Sequence, residues 1–363
     1  MSTVFPTDSY RLQRGADGTL EERISQTAGT LAQRLLQLDV PGLDLSDYFR
    51  GYLSQYLQTL SAVLQKQSWI LARALDPSKP LEQQMLVDHG GGVGMFSLLA
   101  KALGIGTVLY SDIKPETSHG AAVLGTATGF PADFYITGDS PQLSAAIDRI
   151  GHPISALASS NVIEHIYDFD HFVEMLAAIT GPGAGVVLAT SANNANPRIR
   201  RRYMRLQQKL EFRGRGRDPG RRGYLEIRRR MITDCDRSLP EADITRLADR
   251  TRGLAGTDIE ETVARYLRDG GMPDPPAHST NTCCPLTGAW TERLLPAREW
   301  AAALRRGGFD TEILSGLYAT RPDRNWRTPI RRGLNLGIRL FGRHALCVSP
   351  FLALRARRQA DFA

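Results

Sequence analysis

The segment of this chain best placed to do chemistry is Asp88-His89-Gly90-Gly91-Gly92-Val93-Gly94. Glycines at alternate positions permit positive φ and let a ligand come close to the backbone. The pattern is D-x-G-x-G-x-G. It is not the dinucleotide fingerprint G-x-G-x-x-G, because the third glycine would fall on Met95 or Ser97, depending on the starting glycine. Nor is it a phosphate-cradling G-x-x-x-x-G-K-[ST], since no Gly-Lys pair follows.

Among the histidines, His165 is the strongest candidate for a general base. It follows the apolar run Ile154–Ala158, and open α/β sheets form their ligand crevice at the carboxyl ends of strands. Glu164 beside it can bond a ligand or His165, or cap the following helix. No metal is expected. Glu164 and His165 are adjacent rather than four apart, so a helix would not present both on one face. Cys283-Cys284 near His278 lacks the C-x-x-C spacing of a zinc site.

These residues need elements to hold them. Asp44–Leu75 carries apolar residues at Phe49, Leu53, Tyr56/Leu57, Leu60, Val63/Leu64 and Ile70/Leu71, the spacing of one helical region. Asp44 or Ser46 can cap its start, and Asp76-Pro77 stops it. A weaker helical stretch covers Leu20–Leu38. Short apolar runs then follow at Met85–Val87, Thr107–Tyr110, Phe134–Thr137, Ile154–Ala158 and Gly185–Ala189. Helical segments lie between them, at Met95–Leu103, Glu116–Thr128, Pro141–Ile150 and Phe169–Ile179. This alternation predicts βαβ units and a parallel sheet covered on both faces.

From Pro197 to Leu295 the alternation breaks. An arginine-rich block comes first, then two helices opening with capping boxes, Ser238 with Glu241 and Thr257 with Glu260. A Pro/Cys-rich loop, Met272–Leu286, closes the region. A helix at Pro296–Arg306 and strands at Thr311–Tyr318 and Phe351–Leu354 complete the pattern.

The glycine loop and its neighbours resemble the class I S-adenosylmethionine-dependent methyltransferases of the small-molecule type. Met85–Ser191 carries the resemblance, and Leu295–Tyr318 carries it more weakly. It implies an α/β, Rossmann-like, doubly wound and mostly parallel seven-stranded sheet. A helical preface would precede this sheet, and a helical insertion would follow its fifth strand. The expected division is 1–80 as preface on the substrate side and 81–196 as the cofactor-binding core. Residues 197–295 would be a lid, substrate or dimer element, and 296–363 the rest of the core.

The resemblance also implies site roles. Asp112, eighteen residues after Gly94, would take the ribose hydroxyls, with Ile113 against the adenine. Asp139, with Ser140, would meet the adenine amino group. Asp88, His89, Gly90, Gly92 and Gly94 would surround the methionine end. Ser160-Asn161-Val162-Ile163-Glu164-His165 looks like the N-V-L-E-H stretch of many members, placing Asn161 at the cofactor. The cofactor would be S-adenosyl-L-methionine and the product S-adenosyl-L-homocysteine, with no metal.

The net charge of 45 − 38 = +7 is uneven. Between Arg198 and Arg230, fourteen Lys/Arg stand against Glu211, Asp218 and Glu226, a local 14 − 3 = +11, so the rest sums to 7 − 11 = −4. Such a block suits an anionic partner. Arg201, Arg202 and Tyr203 follow the fifth strand and are candidates to hold a carboxylate or phosphate of the acceptor. Trp290, Tyr224 and Trp300 are further candidates to line an apolar pocket.

Four cysteines exclude a disulfide scaffold. Met1–Gly18 lacks the apolar stretch of an export signal. Leu334–Leu354 is interrupted by Arg339, Arg343 and His344, so it lacks the run a spanning helix needs. The expected setting is the cytoplasm, with no membrane partner and no nucleic acid, and a homodimer is left open. The leading expectation is in-line methyl transfer to an O or N nucleophile of a small, anionic molecule in biosynthetic tailoring. The alternatives are an RNA or protein methyltransferase docking through the arginine block, and a non-catalytic S-adenosyl-binding module.

Overall fold

The computed structural model describes residues 18–214, 222–320 and 327–359. Met1–Asp17, and Arg215, Arg217, Asp218 and Arg221 of the basic block, lie outside them. The described chain divides into two compact units.

The first unit comprises residues up to 162, 170–190 and 297 onward. It opens with α1 (Gly18–Leu36), α2 (Asp47–Gln58) and α3 (Leu60–Ala74). Then β1 (Met85–His89), α4 (Met95–Leu103), β2 (Thr107–Asp112), α5 (Pro115–Thr128), β3 (Phe134–Thr137), α6 (Ser140–Ile150) and β4 (Ile154–Ser160) alternate. They are followed by α7 (Phe169–Ile179) and β5 (Thr180–Thr190). The second unit, 163–169 with 191–296, holds α8 (Pro197–Arg213), α9 (Tyr224–Cys235), α10 (Glu241–Arg250) and α11 (Thr257–Asp269). The chain then returns to the first unit through α12 (Ala297–Arg306), β6 (Phe309–Ser315), α13 (Arg327–Phe341) and β7 (Leu352–Arg358).

The seven strands form one sheet in the order β3-β2-β1-β4-β5-β7-β6. All neighbours are parallel except β7, which runs antiparallel to β5 and β6. This is the mostly parallel, Rossmann-like sheet the resemblance implies. Every residue of β1 is buried, as a central strand covered on both faces requires. From β1 the chain winds outward to β2 and β3, then returns to place β4 on the other side. The crevice beyond the carboxyl ends of β1 and β4 is therefore a topological switch point, the place where open α/β sheets bind ligands.

The expected single helix over Asp44–Leu75 is two helices. Thr59, at φ −122 and ψ 21, ends α2 and begins α3. Its hydroxyl bonds back to the Gln55 carbonyl at 3.1 Å, competing with continuation of the helix. The helices then do different work. α3 lies along β4 and β5 and packs with α1 and α4, whereas α2 lies on α5. β7 runs on to Arg358, paired with β5 as far as Arg357 and with β6 as far as Arg358, and Arg355 stands opposite Glu312, an opposite-charge pair of the kind that favours strand pairing.

Neither capping box forms. Asp236 captures Ser238 through its backbone N (2.8 Å) and hydroxyl (2.7 Å), and α10 starts after Pro240 instead. Thr257 is the first helical residue of α11 and Gly256 precedes it, so Thr257 cannot cap. The second unit has one core cluster around Ile232, Leu247, Ile259 and Val263 and another of Ala192, Tyr203 and Leu294.

The arginine block is partly structural. Arg228 is fully buried and paired with Glu211, which also accepts from Arg252 Nε (3.1 Å) and Thr282 Oγ1 (2.6 Å). Burial alone would raise the Glu211 carboxyl, but these donors outweigh it and hold it below its ordinary range. Trp300 is another structural residue: it is 1% exposed and belongs to the core, not to a pocket wall.

Candidate functional site

The glycine loop links β1 to α4 with a backbone that ordinary side chains resist. Gly90, Gly92 and Gly94 have φ of 65, 54 and 77. A Cβ on Gly90 would strike Val162, and one on Gly92 would lie 3.1 Å from the Tyr52 hydroxyl. The loop is tied down from β2. Asp112 Oδ2 accepts from Gly92 N at 3.0 Å, and the Tyr110 hydroxyl donates to Gly92 O at 2.7 Å. Asp112 Oδ1 accepts from Lys114 N (2.9 Å) and Thr117 Oγ1 (2.8 Å). A carboxylate has about four lone-pair sites. Three are in use, so the remaining capacity lies on Oδ2, where one ligand hydroxyl could be met. Ile113 beside it is 66% exposed, an unusual state for an isoleucine at the end of a buried strand.

Beneath the loop sit Asp88 and His89. Asp88 Oδ2 accepts from Ser97 N (3.0 Å) and Ser97 Oγ (2.8 Å), while its Oδ1 is buried with no hydrogen-bond partner among the described residues. Burial pushes this carboxyl up to about 7, against the pull of Ser97 and with the Asp112 charge adding to the rise. The His89 ring stacks on Phe172 at 5.2 Å, and its Nδ1 is likewise buried without a partner. Burial lowers His89 to about 4, outweighing Asp139 and Asp112, so it is neutral near pH 7. Buried polar atoms without partners are costly, and a ligand that supplies partners repays that cost.

Asp139 caps α6: Oδ1 accepts from Ser140 N at 2.8 Å, and Gln142 Oε1 accepts from Asp139 N at 2.9 Å. Asn161, just past β4, sits at φ 60, a conformation that residues other than glycine adopt sparingly and often at functional sites. Lys66 Nζ approaches its Oδ1 at 3.4 Å.

The helical preface is expected on the substrate side, but the apolar periodicity counts Tyr56 with the buried face and does not single out the tyrosines of α2. Tyr48, Tyr52 and Tyr56 recur every four residues and line one side of the helix. The Tyr52 and Tyr56 hydroxyls are 3.3 Å apart, and the Tyr52 ring abuts Gly92. Lys114 donates to the Tyr48 hydroxyl at 2.9 Å. Burial raises both Tyr52 and Tyr56 above their ordinary range, so they remain hydroxyls. The i, i+4, i+8 tyrosine spacing was the available signal.

In the second unit, Glu164 and His165 lie in a short 3₁₀ turn, Ile163–His165. Backbone bonds lace the turn to a neighbouring strand-like segment: Trp290 N donates to His165 O (3.1 Å) and Arg293 N to Glu164 O (3.0 Å). His165 Nδ1 lies 2.9 Å from Trp290 O. A carbonyl only accepts, so Nδ1 carries the proton of the neutral ring and Nε2 is left as an acceptor.

Donor atoms of Glu164, His165 and Glu292 lie within 4.8 Å of one another. Adjacency in sequence therefore did not keep Glu164 and His165 apart, because a 3₁₀ turn rather than an α-helix carries them and Glu292 adds a third donor. The cluster has the donor types to hold a divalent cation. Glu292 itself stands at φ 47. Tyr203 is buried nearby. Its hydroxyl is raised to about 12, first by burial and then by the Glu292 charge.

Tyr203 thus joins Glu164 and His165, whereas Arg201 and Arg202 stay on the exposed face of α8. Tyr224 is buried at the start of α9, and Trp290 stacks on Tyr167 at 6.4 Å.

No protein-family model matches the chain, and no curated protein does. Solved structures do. An S-adenosylmethionine-dependent methyltransferase from Mesorhizobium loti is similar at 18% identity, over 80% of this chain and 98% of its own, with a TM-score of 0.37. One from Archaeoglobus fulgidus is similar at 12% identity, over 86% and 100%, with a TM-score of 0.39. An O-methyltransferase family protein from Burkholderia thailandensis is similar at 11% identity, over 98% and 76%, with a TM-score of 0.38.

Proposed function

We propose that this chain is an S-adenosylmethionine-dependent methyltransferase acting on an oxygen or nitrogen nucleophile of a small, anionic acceptor. The cradle at the carboxyl end of β1 carries the reading. Three glycines hold positive φ there, Asp112 is bonded to the Gly92 amide, and Asp88 Oδ1 and His89 Nδ1 lie buried without partners among the described residues. The donor set fits the cofactor. Asp112 Oδ2 and exposed Ile113 suit a ribose and an adenine, and Asp139 suits an amino group. Asp88 and His89 suit the polar amino-acid end.

Bound there, S-adenosylmethionine supplies a methyl group on a sulfonium, a good leaving group, so no further activation of the carbon is needed. The protein's share is alignment, exclusion of water and removal of the acceptor's proton. His165 Nε2 has the acceptor character for that last role, because Trp290 O fixes the proton on Nδ1. Tyr203, Arg201 and Arg202 are the second unit's candidates for contact with the acceptor, the arginines for its negative group.

Incubating the full chain with methyl-labelled S-adenosylmethionine and a panel of small carboxylates, phosphates and amines tests the proposal. Label should pass to at least one acceptor class, and substitution of Gly92 should suppress the transfer. Transfer to RNA or protein alone would replace the small-molecule reading.

A further inference from the structure

The sequence reading expects no membrane partner because Leu334–Leu354 is too interrupted by charge to span, and among the described residues no helix is long and apolar enough to cross. A helix that lies on a membrane surface needs no such uncharged run. α13 connects β6 to β7, and its outward face is apolar. Ile330 is 54% exposed, Leu336 60%, Leu340 73% and Phe341 66%. With Gly333 and Gly337 between them, they recur at three- and four-residue spacing and form one stripe. A Cβ built on Gly333 or Gly337 would meet nothing within 4 Å among the described residues.

The opposite face is anchored. Ile338 and Asn335 are buried, and Asn335 exchanges hydrogen bonds with Tyr318 N and O, both at 2.8 Å. Arg331 Nη1 donates to Ala319 O at 3.1 Å, and Ser315 Oγ to Gly342 O at 2.8 Å. The apolar stripe is thus presented by a fixed helix and is not left over from a loose one.

The charge carried by this segment itself has one sign. Arg327, Arg331, Arg332, Arg339 and Arg343 fall between residues 327 and 350, a stretch with no Asp or Glu. Of these, Arg327, Arg332, Arg339 and Arg343 are exposed. An apolar stripe flanked by arginines is the pattern of a helix lying in the headgroup plane of an anionic bilayer.

We propose that α13 docks this chain onto anionic lipid surfaces, inserting Ile330, Leu336, Leu340 and Phe341 while the arginines meet the headgroups. A second copy of the chain is a poorer occupant. A two-fold contact would bring the same arginines face to face. The four side chains also offer roughly 500 Å² of surface, below the about 800 Å² per side of a stable interface.

The test is co-sedimentation of the full chain with vesicles of phosphatidylcholine alone and of phosphatidylcholine with about 30% phosphatidylserine. Binding should be at least about tenfold stronger to the anionic vesicles and should fall with added salt. Leu340→Glu with Phe341→Glu should weaken it by about tenfold or more without lowering Tm, since both residues are exposed. Arg332→Gln with Arg339→Gln should weaken it several-fold and flatten the salt dependence. No binding to anionic vesicles, or binding that the Glu pair leaves intact, would overturn the proposal. So would a concentration-dependent dimer that the Glu pair abolishes, which would assign the face to a second copy.

Discussion

Gly92 and Asp112, twenty positions apart, are joined across two strands: the Asp112 carboxylate accepts the Gly92 amide proton at 3.0 Å. The residue proposed to meet a ligand hydroxyl therefore also sets the shape of the loop that the ligand lies on. Removing the carboxylate should damage both functions at once. For Asp112→Ala we expect S-adenosylmethionine affinity to fall by roughly 10- to 100-fold, the range for lost hydrogen bonds to a charged group. Tm should fall too, because Gly92 N and Lys114 N lose their acceptor, whereas Thr117 Oγ1 keeps the Lys114 carbonyl at 2.7 Å. Calorimetric titration with thermal unfolding reads both. Unchanged affinity alongside a lowered Tm would confine Asp112 to a structural role.

Gly92→Ala meets two separate obstacles, a positive φ and the Tyr52 hydroxyl at 3.1 Å. The φ cost is about 1–2 kcal/mol for a residue with a Cβ. The double variant Gly92→Ala/Tyr52→Ala removes only the steric part. It should recover some stability over Gly92→Ala and still bind the cofactor weakly. Full recovery of binding would show that space, not backbone conformation, is what the glycine supplies.

The buried Asp88 carboxyl gives the fold a pH signature. Its pKa is raised from about 3.9 in an unfolded chain to about 7, so the fold favours the protonated form. That contribution is full below about pH 4 and is lost as pH rises through 7. Asp88→Asn keeps the shape without the titration. Relative to wild type, it should be more stable at pH 8 than at pH 5 in denaturant unfolding. An equal difference at the two pH values would mean that Asp88 is ionised throughout. His89, lowered to about 4, acts in the opposite sense, losing its contribution as pH falls from about 6.5 through 4. Because both proteins carry His89, its contribution cancels in the comparison.

If His165 takes the acceptor's proton, His165→Gln should lower kcat by about 10²- to 10⁴-fold and leave cofactor affinity unchanged. A metal at Glu164, His165 and Glu292 would behave differently. Chelator would then reproduce the loss, and Glu292→Gln would match His165→Gln. We expect activity to survive chelation.

Much of this site was visible in the residues. The helix Met95–Leu103 is legible to the residue: Gly94 and Gly104, both at positive φ, bound an apolar segment interrupted only by Ser97 and Lys101. The strands around it were legible because buried parallel strands read as short apolar runs. What local pattern could not show was tertiary. The break at Thr59 sends α2 to the glycine loop and α3 to the sheet, and no periodicity marks that parting. Arg228 looked like one more surface cation until Glu211, seventeen residues earlier, proved to be its buried partner. Glu292 escaped notice because it joins Glu164 and His165 from 127 residues away through backbone pairing.

The anionic character of the acceptor rests on Arg201 and Arg202. Reversing both to Glu should raise KM for an anionic acceptor by about tenfold or more while kcat changes little, as loss of uniform binding does. An unchanged KM would detach the arginine block from substrate binding.

The most direct measurement is titration of the full chain with S-adenosylmethionine, S-adenosylhomocysteine and NAD, read by calorimetry and by thermal unfolding. At about a hundredfold excess over Kd, binding adds about 2.7 kcal/mol, a shift of several degrees in Tm. The account predicts binding of both S-adenosyl ligands, none of NAD, and loss of the S-adenosyl shift in Gly92→Ala. Absence of binding by either S-adenosyl ligand to the wild-type chain would contradict it, and the Asp88–Gly94 loop would then have to be explained as structure alone.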